Sequence, residues 1–147
     1  MANYHLVILK KPYLGMILEG RKRIELRLYK TKHPAFGRVF AGDNLFLKVN
    51  SGPVCAIAAV EKVKIFENLI PAKILDLKQQ YNHEIGGGDG YWQSKMDCKY
   101  CLLVWLKDVK TIEPVRIQKK DWRAWVVLTE KIDFGLLKSA SLRNLSE

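Results

Sequence analysis

The sequence predicts an α+β fold, a small mixed β-barrel with two or more short helices packed on it. Three observations carry this. Strand-like segments outnumber helical ones. They are short and joined mostly by turns, without regular strand–helix–strand alternation. Two stretches, after Pro12 and after Pro71, repeat their apolar residues at helical spacing instead.

The first strand is "YHLVILK", about Tyr4 to Lys10, an apolar run of strand length stopped by Pro12. From Pro12 the spacing of Tyr13, Met16 and Ile17 predicts a helix, with Pro in the tolerated first turn and Gly20 where a left-handed cap would end it. "RIELRLY" alternates strictly, which sends Ile24, Leu26 and Leu28 to one face and Arg23, Glu25, Arg27 and Tyr29 to the other. The polar connection "KTKHPAFGR" leads to "GDNLFLKV", a turn feeding a strand, and "NSGP" turns again into the long strand "VCAIAAVEKVKIFE". The alanines Ala56, Ala58 and Ala59 leave room for close packing, as in a central strand. "PAKILDLKQQY", from Pro71 to about Tyr81, is an amphipathic surface helix. "CLLVWLKDVKTIEPV" and "WRAWVVL" read as further strands, broken at Pro114.

A chain of 147 residues fits one domain and buries enough surface to fold without staples. The expectation is a single domain over 1–147, its core about 4–130, with a polar tail at about 138–147 that frays. Apolar residues make up 48% and charged residues 27%, as in globular proteins. Three cysteines, Cys55, Cys98 and Cys101, are too few and too odd in number for a secreted disulfide framework, and no apolar stretch reaches the length of a membrane span. The reading is a cytoplasmic protein with no membrane association.

The formal charge of +10 points to an acidic partner, nucleic acid first. Its distribution sharpens the point: between Lys10 and Arg38 nine cations (Lys10, Lys11, Arg21, Lys22, Arg23, Arg27, Lys30, Lys32, Arg38) meet two carboxylates, Glu19 and Glu25. The bland alternative is that surplus lysines keep the protein soluble, and for the Glu25–Arg27 face it is a solvated strand face with an internal Glu–Arg or Glu–Lys pair, worth about 0–1 kcal/mol if exposed.

Gly20, Lys22, Glu25 and Arg27 give G-x-K-x-x-E-x-R, which resembles the signature of the ASCH domain, a branch of the PUA-like β-barrel superfamily. A strand and short helix precede it and "AGDNLFLKV" follows, as in such domains; the resemblance spans roughly Leu6 to Leu128. It implies an RNA-binding barrel with a cleft near the signature, and in some members hydrolysis, either of the acetyl group of acetylcytidine or of RNA. The amidohydrolase group's Lys corresponds to Lys22, its Thr nucleophile position is held by Glu25, and its distal Glu falls on Glu84. That substitution closes the hydroxyl route to a covalent intermediate and leaves a carboxylate able to act as a base through water.

From the residues themselves, Gly20 lets the chain leave the helix at positive φ, and Glu25 and Arg27 share a strand face beside Lys22. Arg27 is suited to a phosphate or carboxylate. In "HEIGGGDGYWQSK" the glycines predict a mobile loop or a close backbone approach to a ligand, and Tyr91 and Trp92 are candidates to stack on an unpaired base. The lone C-x-x-C of Cys98 and Cys101 lacks the partners of a zinc site, and His5, His33 and His83 share no ligand spacing, so neither metal nor cofactor is expected. Lys119, Lys120 and Arg123 with Trp122 and Trp125 combine cations and aromatics, one tryptophan filling the core.

The functional expectation is RNA binding, of a single strand or a modified nucleotide, through a basic cleft formed by Arg21, Lys22, Arg23, Arg27, Tyr91 and Trp92. The alternatives are a hydrolase using Lys22, Glu25 and Glu84, and a protein-interaction module.

Overall fold

The computed structural model describes residues 2–117 and 123–128. Six strands and three helices follow in the order β1 (Tyr4–Leu9), α1 (Lys11–Leu18), β2 (Ile24–Tyr29), β3 (Asn44–Val49), β4 (Val54–Phe66), α2 (Pro71–Ile85), α3 (Asp89–Ser94), β5 (Tyr100–Val115) and β6 (Trp125–Leu128). They form one curled mixed sheet, a half-barrel, in the order β2-β5-β4-β3-β1-β6. Only β1 and β3 run parallel; the other neighbours are antiparallel. The alanine-containing β4 is central, and Ala56 and Ala58 are buried between its neighbours.

Long β4 and β5 pair along most of their length, with register shifts that bend the pair. Val60 faces Leu106 but Lys62 faces Trp105, so Glu61 is one extra residue on β4. Between Ile57 and Ala59 the extra residue lies on β5, near Asp108, whose φ of 52° is left-handed. β5 runs through Pro114 to Val115, so the expected break there does not occur: the proline occupies the penultimate position, where the ladder is ending and its missing N–H costs little.

Three apolar clusters organise the packing. The concave side joins β1, β3, β4 and β5 to α1 through Val7, Leu14, Ile17, Leu45, Ala58, Val104 and Trp125. On the convex side, α2 and α3 cover β2 and β5 through Ile24, Leu26, Leu28, Ile74, Leu77, Trp92 and Leu103. A third group, including Leu6, Phe46, Ile57 and Val126, covers the opposite face of β1, β3, β4 and β6 from the first cluster. The strict alternation of β2 holds, but neither of its faces is solvated: Ile24, Leu26 and Leu28 meet the helices, while Glu25 is itself buried and Arg27 and Tyr29 are largely so. An exposed ion pair is therefore the wrong description of that second face.

The second helix outlasts its expected end at Tyr81 and stops at Ile85, where Gly86 takes the left-handed conformation at φ 77°. The glycine-rich stretch is a tight corner into α3 and not a long loop. A side chain at Gly87 would meet the Trp92 indole, so the backbone passes close to the protein's own core. Of the tryptophans expected to pair core and surface, Trp125 is fully buried; Trp122, with Lys119 and Lys120, lies outside the described residues. No helix among the described residues is long and apolar enough to cross a membrane.

Candidate functional site

Among the described residues the two edge strands, β2 and β6, are not joined by a backbone ladder. A cavity of about 860 Å³ opens at this seam. Its walls are the polar face of β2, the ends of β1 and β3, and the junction of α2 with α3.

The G-x-K-x-x-E-x-R segment builds one wall from a helix end. Helix α1 closes with paired bonds, Gly20 N–H to Ile17 O at 3.1 Å and Arg21 N–H to Met16 O at 2.9 Å, and Gly20 at φ 81° makes the left-handed turn they need. The chain then enters β2 beside the last turn of α2. There the Arg23 N–H donates to Glu84 O at 2.8 Å. The Lys22 ammonium donates to Ile85 O at 2.7 Å and to Ile24 O at 2.8 Å. Two carbonyls that a helix C-terminus leaves unpaired are thus satisfied by the motif. Lys22 is 4% exposed, its ammonium 5.3 Å from the Tyr13 ring centre and 4.0 Å from Glu25 Oε2. Burial pulls its pKa below the ordinary lysine value; Glu25 opposes that shift and Arg27 adds to it.

Glu25 lies between two cations. Its Oε1 is 3.3 Å from Arg27 Nε, and its Oε2 is enclosed without a hydrogen-bond partner. Arg27 reaches across the seam, donating from Nη2 to Ile8 O at 3.0 Å, and its guanidinium carbon stands 5.6 Å from the Trp125 ring centre. Further along the face, the Tyr29 hydroxyl is buried and unpartnered, and burial pushes its pKa up to about 12. Burial also raises the Tyr91 phenol, with Glu25 adding to the effect.

The structure brings Lys22, Glu25, Arg27 and Tyr91 to one cavity. It does not bring the others. Trp92 is 1% exposed and donates its indole N–H to Asn82 Oδ1 at 3.0 Å, so its faces belong to the core and are closed to a base. Arg21 is exposed and paired with Glu19 at 2.8 Å. Arg23 borders a smaller hollow beside α1 and β5. Glu84 contributes its backbone carbonyl to the corner, but the residue is not among those lining the cavity. Cys98 and Cys101 are free and packed under the helices, burial pushing the Cys101 thiol up to about 12. No group of three or more His, Cys, Asp or Glu among the described residues is placed to hold a metal ion.

Cations that strand periodicity did not single out complete the lining: Lys10, Lys11, Lys48 and Lys95. Lys10 and Lys11 are exposed at its rim, and the Lys95 ammonium stands 5.6 Å from the Tyr91 ring centre. Unforeseen too is a buried chain behind Arg27. Trp125 Nε1–H donates to His5 Nδ1 at 3.1 Å, which fixes the neutral tautomer whose Nε2–H donates to Asp43 Oδ2 at 2.9 Å. Asp43 also accepts the backbone N–H of Phe40 and Asn3, each at 2.9 Å. His5 and Asp43 are 38 residues apart, a pairing visible only once β1 and β3 align.

Fold and cavity together define a small α+β half-barrel with a basic recess at its open seam. The chain belongs to the ASCH domain family, whose model matches residues 7–142. Its fold is that of ASCH from Zymomonas mobilis, with a TM-score of 0.69 at 13% identity over 92% of this chain and 94% of that one. Two single-residue variants of that protein superpose at TM-scores of 0.67 and 0.65, with 15% and 12% identity, each over 97% of this chain and over 95% and 96% of theirs. A search of curated proteins found no match.

Proposed function

We propose that the chain binds RNA, taking one nucleotide of a single strand, or a modified nucleotide, into the seam cavity. One observation carries this reading: among the described residues the cavity is lined by Lys10, Lys11, Lys22, Arg27, Lys48 and Lys95 against one carboxylate, Glu25. Its volume is of the size small-molecule sites have, about 300–1,000 Å³. In this reading Tyr91, with Tyr13 beside it, meets the base, and the rim lysines hold phosphate. Arg27 and Lys22, already bonded to backbone carbonyls, shape the wall and keep it positive.

Affinity for a short single-stranded RNA should fall steeply with salt, by about 0.7 log units per log unit of salt for each phosphate contact. It should fall further for Tyr91→Leu and for Lys10→Gln with Lys11→Gln. An isotherm indifferent to ionic strength would count against the proposal.

The hydrolytic reading rests on a different observation, the enclosed and unpartnered Oε2 of Glu25 next to Lys22. With Glu84 off the cavity lining it would have one carboxylate to move protons. Incubation with acetylcytidine and with short RNAs, with and without divalent metal, separates the two: turnover abolished by Glu25→Gln favours the enzyme. Retention of an acidic protein, with no RNA retained, would favour an interaction module instead.

A further inference from the structure

The cavity does not use an aromatic group where α2 packs on β4 and β5. Beyond the extra residue Glu61, β4 presents Lys62 on the same face as its partner Trp105, and Lys64 follows two residues on. Trp105 meets Tyr81 of α2 edge to face, ring centres 5.5 Å apart at 86°. Phe66 lies at the end of the same strand. All three rings are only partly buried.

Each ring carries a lysine. The Lys62 ammonium is 4.3 Å from the Trp105 ring centre, and that of Lys64 is 5.9 Å from Trp105 and 5.8 Å from Tyr81, to whose hydroxyl oxygen it donates a hydrogen bond at 3.2 Å. The Lys73 ammonium is 5.1 Å from the Phe66 ring centre. None of these lysines has an ion-pair partner among the described residues, and none of the six residues lines the seam cavity.

We propose that this strip, Lys62, Lys64, Lys73, Phe66, Tyr81 and Trp105, is a second binding surface, for single-stranded nucleic acid. An ammonium resting on a ring is weakly held and mobile on its long stem. A phosphate draws it away, and the movement that makes the ion pair uncovers the ring for the adjoining base. The occupant must therefore supply negative charge and a free planar face. A duplex hides its base faces, and an acidic polypeptide brings charge without them. The strip shares its class of partner with the cavity but none of its residues.

The test is fluorescence anisotropy of the full chain with labelled oligouridylate, comparing a trinucleotide with a strand of roughly 12–16 nucleotides, a full single-strand site. For the long strand, Lys62→Gln with Lys64→Gln should reduce the salt slope by about 1.4, at about 0.7 per lost phosphate contact. Trp105→Leu should weaken binding about fivefold or more with the slope unchanged, since stacking carries no counterions. Trinucleotide binding should not change in either variant. If Trp105→Leu fails to fold, the lysine pair, which is exposed, still decides the matter. A trinucleotide that fails to bind would sink the cavity reading and leave the long-strand comparison valid. An unchanged slope in the lysine variant would overturn the strip. So would polyglutamate binding that depends on Lys62 and Lys64 and ignores Trp105, which assigns the surface to an acidic polypeptide.

Discussion

The ammonium of Lys22 lies 2.7 Å from the carbonyl oxygen of Ile85, the last residue of α2. With the Arg23 N–H on Glu84 O, this makes the basic motif a cap for a helix that is distant in sequence. Lys22 therefore has two tasks, holding the α2–α3 corner and setting the potential of the cavity. Replacing it by Met should cost about 3 kcal/mol or more, because Glu25 would lose a compensating charge in a buried place and two carbonyls would lose their donor. Urea unfolding followed by circular dichroism reads this directly; an unchanged midpoint would show that the lysine is not a cap.

The buried chain Trp125–His5–Asp43 makes stability depend on pH. Burial holds the His5 pKa below 6.5, with Arg38 lowering it further and Asp43 acting against both. Between that depressed value and 6.5 the unfolded chain binds a proton that the folded one does not, so stability is present above 6.5 and is lost as pH falls through the folded value. The melting temperature should drop on going from pH 7 to pH 5, and His5→Gln should flatten that drop. Parallel curves for the two proteins would remove His5 from the explanation.

Tyr29 titrates in the opposite sense. Its phenol is pushed up to about 12, so the neutral form stabilises the fold up to the ordinary tyrosine value of 10.0. That contribution is lost as pH rises from there through the folded value. In an ultraviolet difference titration of the folded protein, Tyr29→Phe should remove absorbance that develops near pH 12.

Two neighbouring glycines should respond unequally to alanine. Gly86 has φ 77° and its added methyl would run into the Met16 side chain, whereas Gly88 has φ −76° and open space around its Cα. Gly86→Ala should cost about 1–2 kcal/mol, from left-handed strain plus the displaced methionine, and Gly88→Ala should lie within about 0.5 kcal/mol of neutral. Equal effects would mean that the corner does not constrain its backbone.

Much of the strand framework was legible because β2, β3 and β4 carry period-two or small-residue patterns that only a sheet satisfies, and Gly20 announced the end of α1. The family resemblance rested on four residues at fixed spacing together with the order of the strands and helix around them. What stayed hidden depends on partners far away in the chain. Periodicity put Glu25 and Arg27 on a common face but could not tell solvent from an interior cavity. Composition made Trp92 look available, while its indole N–H is claimed by Asn82 and its faces by the core. Glu84 is the reverse case, a side chain proposed for chemistry whose backbone carbonyl holds the corner together. The shifts near Glu61 and Asp108 leave no local signature, yet they turn Lys62 toward Trp105.

The unladdered seam has one more consequence. A fully zipped barrel would have to sever a row of main-chain bonds before its interior could receive a guest. Here β2 and the β1–β6 side are bridged by side chains such as Arg27, so the mouth can widen while every strand keeps its register. Breathing of the entrance therefore need not unfold the domain, and hydrogen exchange should find the backbone amides of the edge strands β2 and β6 exchanging long before those of central β4 do.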